Sequence, residues 1–329
     1  MDISHPNLNN AKRIAVVRTD RLGDMVLTLP MCSALKHECP KATIILITRS
    51  YVASLLYRCS VIDEVVYADT IEEVTDAIRT GNFDAIFFPR PQFSEYFAAF
   101  RARIPLRVGS GYRWYSFLIN CKQYDHRKTA DYHEAEFNTR LVSRALGKEV
   151  ATQLVAPVVK PDSAIRIHEL FAFHNISNLT PIVIHPGSGG SAVNWPAENF
   201  GKTAKRLHEL TNRPIIITGI ETETEICKIV YNNCPQAINL CGKLSLDDLI
   251  ALLANASLLI ANSTGVLHVA AALGTPVLGL YPNSPPMSAK RWGPFTQNSI
   301  VISPPNGDDS MSDISVESVA LSALNLLNY

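Results

Sequence analysis

The chain has 329 residues, long for a single domain, so two domains of roughly 150 residues each are expected. Hydrophobic residues make up 47% and charged residues 18%, which is enough apolar material for buried cores and argues against a disordered chain. The 30 basic and 30 acidic side chains cancel, so no nucleic-acid partner is expected. The balance is uneven, however: residues 1–150 carry 20 Lys/Arg against 17 Asp/Glu, and residues 151–329 carry 10 against 13.

The N-terminal stretch Met1–Asn10 is polar, and the first apolar run, Ile14–Val17, is too short for a secretory core. A strand over Arg13–Arg18 leads into the loop Thr19–Gly23 and an apolar helix from about Asp24 to Glu38, stopped by Pro40. Strands follow at Ala42–Thr48, Glu64–Tyr67 and Ala85–Phe88, with a helix over Ile71–Arg79. From Pro89 to His133 the chain is punctuated, basic and aromatic, and reads as loops with a helix or two. This alternation predicts a mainly parallel sheet with helices on both faces.

The second half begins afresh after Val158–Pro161. Strands are expected at Ile182–His185, Pro214–Thr218, Ala237–Leu240, Leu258–Ala261 and Val277–Tyr281. Helices are expected at Ala197–Leu210, Glu223–Asn232, Leu246–Asn255 and Val266–Leu273. An amphipathic terminal helix over 315–327 could pack back on the first domain. The domains are set at 1–160 and 161–329, and two successive α/β sheets imply a cleft, with ligands outside the carboxyl ends of the strands. The longest apolar stretch, Val266–Tyr281, is interrupted by His268, Gly274, Pro276 and Gly279, so no membrane span is predicted and the protein is expected in the cytoplasm. Seven scattered cysteines lack metal-ligand spacing and read as small core residues.

Three turns have the residue types of a binding site. His185-Pro-Gly-Ser-Gly-Gly-Ser191 follows a strand directly; its glycines let N–H groups approach a phosphate, and its serines add hydroxyl donors. Asn262-Ser-Thr-Gly265 follows another strand and opens a helix whose positive end would attract a diphosphate. Both also serve as ordinary caps. Neither is a P-loop, and no G-x-G-x-x-G run occurs, which weighs against ATP hydrolysis and NAD binding. In the first half, Asp24 follows Gly23 at a helix start, where it fits an N-cap as well as a general base.

The run Arg18-Thr-Asp-Arg-Leu-Gly-Asp-Met-Val-Leu-Thr-Leu-Pro30 resembles the opening motif of glycosyltransferase family 9, the bacterial lipopolysaccharide heptosyltransferases. His185-Pro-Gly-Ser-Gly-Gly-Ser-Ala-Val-Asn-Trp-Pro196 and Asn262-Ser-Thr-Gly-Val-Leu-His-Val-Ala-Ala-Ala-Leu-Gly274 resemble its two donor-site motifs. The three stand in the right order and span nearly the whole chain. The resemblance implies a GT-B fold: two Rossmann-like parallel-sheet domains facing across a cleft, with acceptor on the first and donor on the second. It also implies an inverting transfer, of heptose from an ADP-linked donor, onto a lipopolysaccharide core or similar anionic glycan. The donor is then a nucleotide diphosphate sugar, and no separate cofactor is implied.

On that resemblance Asp24 matches the base. Ser188, Gly189, Thr264 and Gly265 match positions that hold the diphosphate, with Ser263 beside them. Glu223 matches a ribose-binding carboxylate, Leu244 an apolar contact to the nucleobase, and His268 a position within reach of the donor. The chain departs from the family twice. Val193 stands where a lysine commonly neutralises the diphosphate, and Ser263 stands where the family often has aspartate. Lys290 or Arg291 could supply the missing charge. No carboxylate pair or Asp-x-Asp motif marks a metal at the donor site.

Residues 90–128 hold eight basic side chains against Glu95 and Asp125. Arg90, Arg103 and Arg113 there, with Arg21 in the first turn, are candidate contacts to an anionic glycolipid acceptor. Tyr112, Trp114, Tyr115 and Phe117 could pack on sugar rings or rest on the inner membrane, giving peripheral contact without a span. A solvated basic face is the plainer alternative. Three other functional readings stay open: a different nucleotide sugar, a protein acceptor, and a nucleotide-sugar-binding protein with impaired turnover.

Overall fold

The computed structural model describes residues 8–190 and 192–328, so residues 1–7 and Ser191, a donor candidate of the first glycine turn, lie outside the described residues. The chain divides into two compact units, Met1–Val155 and Ala156–Tyr329.

In the first unit, the apolar run Arg13–Val17 forms β1, four of its five residues buried. The single helix expected next is instead two, α1 (Leu22–Val26) and α2 (Leu29–Glu38). Pro30, in the first turn of α2, is the cause. It has no N–H to donate, and its ring would clash with the Val26 carbonyl in one continuous helix. Then come β2 (Thr43–Thr48), β3 (Glu64–Tyr67), α3 (Ile71–Thr80) and β4 (Ala85–Phe87), close to their expected bounds. A reciprocal Thr70–Glu73 capping box starts α3.

The irregular stretch after Pro89 holds α4 (Phe93–Arg101) and two strands the pattern does not announce, β5 (Leu106–Ser110) and β6 (Cys121–Gln123). Both are short, and β6 is polar, so neither shows a clear period-two signal. The unit closes with α5 (Glu134–Leu146), which ends at Gly147 in the left-handed conformation, φ 71°. Six parallel strands run in the order β3-β2-β1-β4-β5-β6. The winding therefore reverses between β1 and β4.

The second unit opens with α6 (Pro161–Phe173), then β7 (Ile182–His185), α7 (Ala197–Thr211), β8 (Ile215–Ile217) and α8 (Thr224–Asn233). It continues through β9 (Ile238–Asn239), α9 (Leu246–Ala254), β10 (Leu258–Asn262) and α10 (Gly265–Leu273). β11 (Val277–Leu280), α11 (Ala289–Trp292), β12 (Ser299–Ile302) and α12 (Val316–Leu326) complete it. Its strands are also parallel, in the order β12-β11-β10-β7-β8-β9, so its winding reverses between β7 and β10. The fold is α/β, two Rossmann-like parallel-sheet domains, as the sequence predicts.

The terminal helix packs within the second unit, where Val319, Ala323 and Leu327 share a core with Trp195 and Phe200. An apolar helix face says that it will be buried, but the sequence does not say against what. Cys32, Cys39, Cys227 and Cys234 are buried as small core residues. Among the described residues no helix is long and apolar enough to cross a membrane.

Candidate active site

In doubly wound sheets, ligands meet the carboxyl ends of the two strands where the winding reverses. In the first unit those strands are β1 and β4. Arg18, at the end of β1, is only 3% exposed and forms ion pairs with Asp20 and Asp24. Its guanidinium also lies 4.0 Å from Glu134, at the start of α5. Arg127 pairs with Glu134 and donates to the Asn138 side-chain oxygen at 3.1 Å. Asn138 in turn donates to the Leu27 carbonyl at 2.9 Å, tying α5 to the break between α1 and α2.

Asp24 is not the N-cap that its position alone allows. Arg21 holds the cap position without a side-chain cap bond, and Asp24 lies inside the first turn of α1, turned to Arg18. Burial raises the Asp24 carboxyl above the ordinary aspartate range, and Arg18 opposes that shift without overturning it. Burial works against the charge of Arg18, but Asp24, Asp20 and Glu134 outweigh it and hold the guanidinium above its usual value. A carboxylate raised in this way is a stronger base than a free aspartate, and 14% of the Asp24 side chain stays exposed.

Glu95, one turn into α4, is 6% exposed; burial pushes its carboxyl up to about 8, against the pull of Arg90. Arg90 follows β4, and its guanidinium stands 3.9 Å from Asp20.

In the second unit the reversal lies between β7 and β10, and both glycine turns sit at these strand ends. Asn262 is fully buried and joins the two: its oxygen accepts from the Trp195 N–H at 2.9 Å, and its amide donates to the Pro186 carbonyl at 2.7 Å. Only a side chain with both an acceptor and a donor can make this bridge. A Cβ at Gly187 would stand 2.0 Å from the Glu223 carboxylate, so a larger residue there would displace that side chain. Gly189 adopts φ 55°, the left-handed region that favours glycine.

The Gly189 N–H does not point at an open phosphate position; it donates to Glu223 at 3.0 Å, and the Ile220 N–H donates to the other carboxylate oxygen at 3.0 Å. A carboxylate 34 residues on thus holds the loop, which the glycine spacing does not reveal. His185 shares a 3.0 Å hydrogen bond with Thr218, and burial lowers its pKa against the pull of Glu223. At α10, Thr264 occupies the N-cap in extended conformation without a side-chain cap bond, so no side chain of the cap takes the first-turn N–H groups. His268, a turn further on, is 4% exposed.

Residues 72–315 match the model of glycosyltransferase family 9 (heptosyltransferase). The chain belongs to that family. A Haemophilus influenzae protein described as a glycosyltransferase is 30% identical over 96% of both chains. Lipopolysaccharide heptosyltransferase 2 of Salmonella typhimurium is 27% identical, with 83% of this chain and 84% of that protein covered. Among solved structures, the Escherichia coli ADP-heptose lipopolysaccharide heptosyltransferase II superposes with a TM-score of 0.79 at 21% identity, covering 96% and 98% of the two chains. The protein is a glycosyltransferase of GT-B type.

The fold does not gather every candidate of this family 9 transferase. Ser188, 6% exposed, donates to the Ala192 carbonyl at 3.3 Å, and Leu244 is half-buried in the turn after β9. Tyr281 hydrogen-bonds both Ser263 and the Trp292 carbonyl, the latter at 2.7 Å, which moors α11 beside the turn that opens α10. Arg291 lies 4.6 Å over the Trp292 ring in that helix, whereas Val193 is 46% exposed.

Of the acceptor candidates, only Arg90 meets the Asp20 corner. Arg21, Arg103 and Arg113 are exposed and make no ion pair among the described residues. Arg18, Arg127, Glu134, Asn138 and Glu95 were not among the candidates. A charged residue directly after an all-buried strand end, Arg18 after Val17, was the signal available. Glu134 and Asn138, four apart and so on one helix face, were another.

Proposed function

We propose that the second unit binds ADP-heptose and the first binds a lipopolysaccharide-core acceptor, and that the enzyme transfers heptose with inversion and without a metal. The enzyme then works in the cytoplasm, at the inner face of the inner membrane. In this reading Asp24 takes the proton of the acceptor hydroxyl as its oxygen bonds to the anomeric carbon. The bond from that carbon to the diphosphate oxygen breaks on the opposite face, and the nucleotide diphosphate leaves with the electron pair.

The observation that carries the reading is the convergence of two glycine-bearing turns at the ends of neighbouring strands β7 and β10. One of them opens a helix whose N-cap residue, Thr264, makes no side-chain cap bond. Family membership supports the class of reaction, and the heptosyltransferases among its relatives support heptose. Ser188, Ser263, Thr264 and Gly265 are assigned to the diphosphate, Glu223 to ordering the loop and meeting the ribose, Leu244 to the nucleobase, and His268 to the donor. Arg291, with Lys290 beside it, replaces the cation that Val193 lacks, which the mooring of α11 near Ser263 supports. Arg21, Arg90, Arg103 and Arg113 are assigned to the acceptor.

A thermal-shift series over ADP-, GDP- and UDP-linked sugars tests the donor. A ligand at 100 times its Kd should stabilise the folded state by roughly 2.7 kcal/mol. Stabilisation by UDP- or GDP-sugars but not ADP-heptose would overturn the donor assignment. Activity that EDTA abolishes and Mg²⁺ restores would overturn the metal-free mechanism.

A further inference from the structure

The helix α4 is apolar on two faces. Tyr96, Ala98 and Ala99 are buried against the first unit's core, while Phe93, Phe97 and Phe100 form a stripe on the opposite side, each 44–46% exposed. Helices apolar on both sides are normally covered on both. Phe93 stacks on Phe97 at 5.8 Å and on Trp114 at 5.5 Å, and Trp114 is 77% exposed. The short turn Ser116–Leu118 packs beside α4 and adds Phe117, 63% exposed. Phe93, Phe97 and Trp114 stack together, and with Phe100 on the same helix face and Phe117 on the adjoining turn they make an aromatic ridge.

The charges around the ridge have a single sign. Between Arg90 and Tyr124 the only carboxylate is that of Glu95, which is buried on the inner side. Arg101, Arg103 and Arg113 are exposed and make no ion pair among the described residues. The Arg107 guanidinium lies 5.7 Å over the Phe100 ring.

We propose that this ridge docks the protein on an anionic lipid bilayer, its phenylalanines and Trp114 entering the headgroup layer and its arginines meeting lipid phosphates. Aromatic rings with nearby cations suit the boundary between water and acyl chains. A symmetric pairing of two copies through the same face would set like charges together. The inference rests on the glycolipid-acceptor reading only for the use such a surface would have.

Flotation of the full chain with vesicles tests it, using phosphatidylcholine alone or with roughly 30% phosphatidylglycerol as the anionic lipid. The protein should float with the anionic vesicles only, and less at about 1 M salt, where the screening length falls to about 3 Å. Phe97→Ser with Phe100→Ser should lower the bound fraction by about tenfold or more, at unchanged Tm and unchanged turnover of a soluble, deacylated acceptor. Arg101→Glu should lower binding without removing a ring. Equal flotation of parent and double variant would overturn the proposal. So would a parent that fails to float, including one that elutes as a dimer which the double variant dissolves. Normal flotation without heptose transfer would sink the glycolipid reading and leave the surface intact.

Discussion

The two units share one winding and use opposite chemistry at the place where it reverses. At the ends of β1 and β4, the first unit gathers Arg18, Asp20, Asp24, Glu134 and Arg90, a cluster of formal charges built on the buried Arg18 and Glu134. At the ends of β7 and β10, the second unit relies largely on neutral groups: the Asn262 bridge and a helix start with no side-chain cap, while the carboxylate of Glu223 takes the Gly189 N–H. The sheet therefore fixes where a ligand can go, and the turns decide what it can be. Charges suit a site that must move a proton, and neutral donors suit one that must hold an anion already carrying its own charge.

Breaking the charged side should have the larger effect. Arg18→Ala would leave Asp20, Asp24 and Glu134 without their shared cation, at a cost of about 3–5 kcal/mol. Chemical denaturation of the variant should show it, and a loss below about 1 kcal/mol would mean the cluster is no more costly to disrupt than a neutral bond. Asp24→Asn keeps the shape and should lower turnover roughly 100-fold while sparing donor affinity. Because burial raises the Asp24 carboxyl, turnover should fall as pH drops through that value and the base is protonated. A variant with normal turnover would leave Asp24 only a structural partner of Arg18.

On the neutral side, Asn262→Ala would orphan the Trp195 N–H and the Pro186 carbonyl, costing about 1–3 kcal/mol. Calorimetry should show a lower Tm and titration a weaker donor; a change in neither would dissolve the idea that this bridge aligns the two turns.

A last test sharpens the comparison through pH. The folded state holds the Glu95 proton up to about 8, whereas the unfolded chain releases it near 4.5. Across that window the folded state binds more protons, so this group's contribution to stability falls as pH rises. Glu95→Gln should raise Tm by roughly a few degrees at pH 9 and leave it nearly unchanged below pH 5. A parallel Tm profile for parent and variant would show that Glu95 does not titrate in this way.

Much of the architecture was legible because it is local. Buried runs such as Ile182–His185 and Leu258–Asn262 are followed at once by glycine, serine and threonine turns, so strand, turn and helix all announce themselves within a dozen residues. β5 and β6 did not, because short, partly polar strands acquire their pairing from neighbours. The split between α1 and α2 was readable in principle from Pro30, yet the apolar periodicity around it suggests one helix.

The sequence by itself determined that each half carries a mainly parallel α/β sheet, the turns at the strand ends and Asp24 as a carboxylate at the first of them, since each follows from residues a few positions apart. Only the tertiary structure decided which groups those turns would meet. Arg18 finds Glu134 more than a hundred residues away, Glu223 takes the Gly189 N–H, Asn262 spans two loops, and α12 fills the second core. The reason is geometric. Hydrophobic period and turn chemistry act along the chain, but a buried charge or amide is satisfied by whatever the packed sheet brings within about 3 Å, and that distance is set by the whole fold.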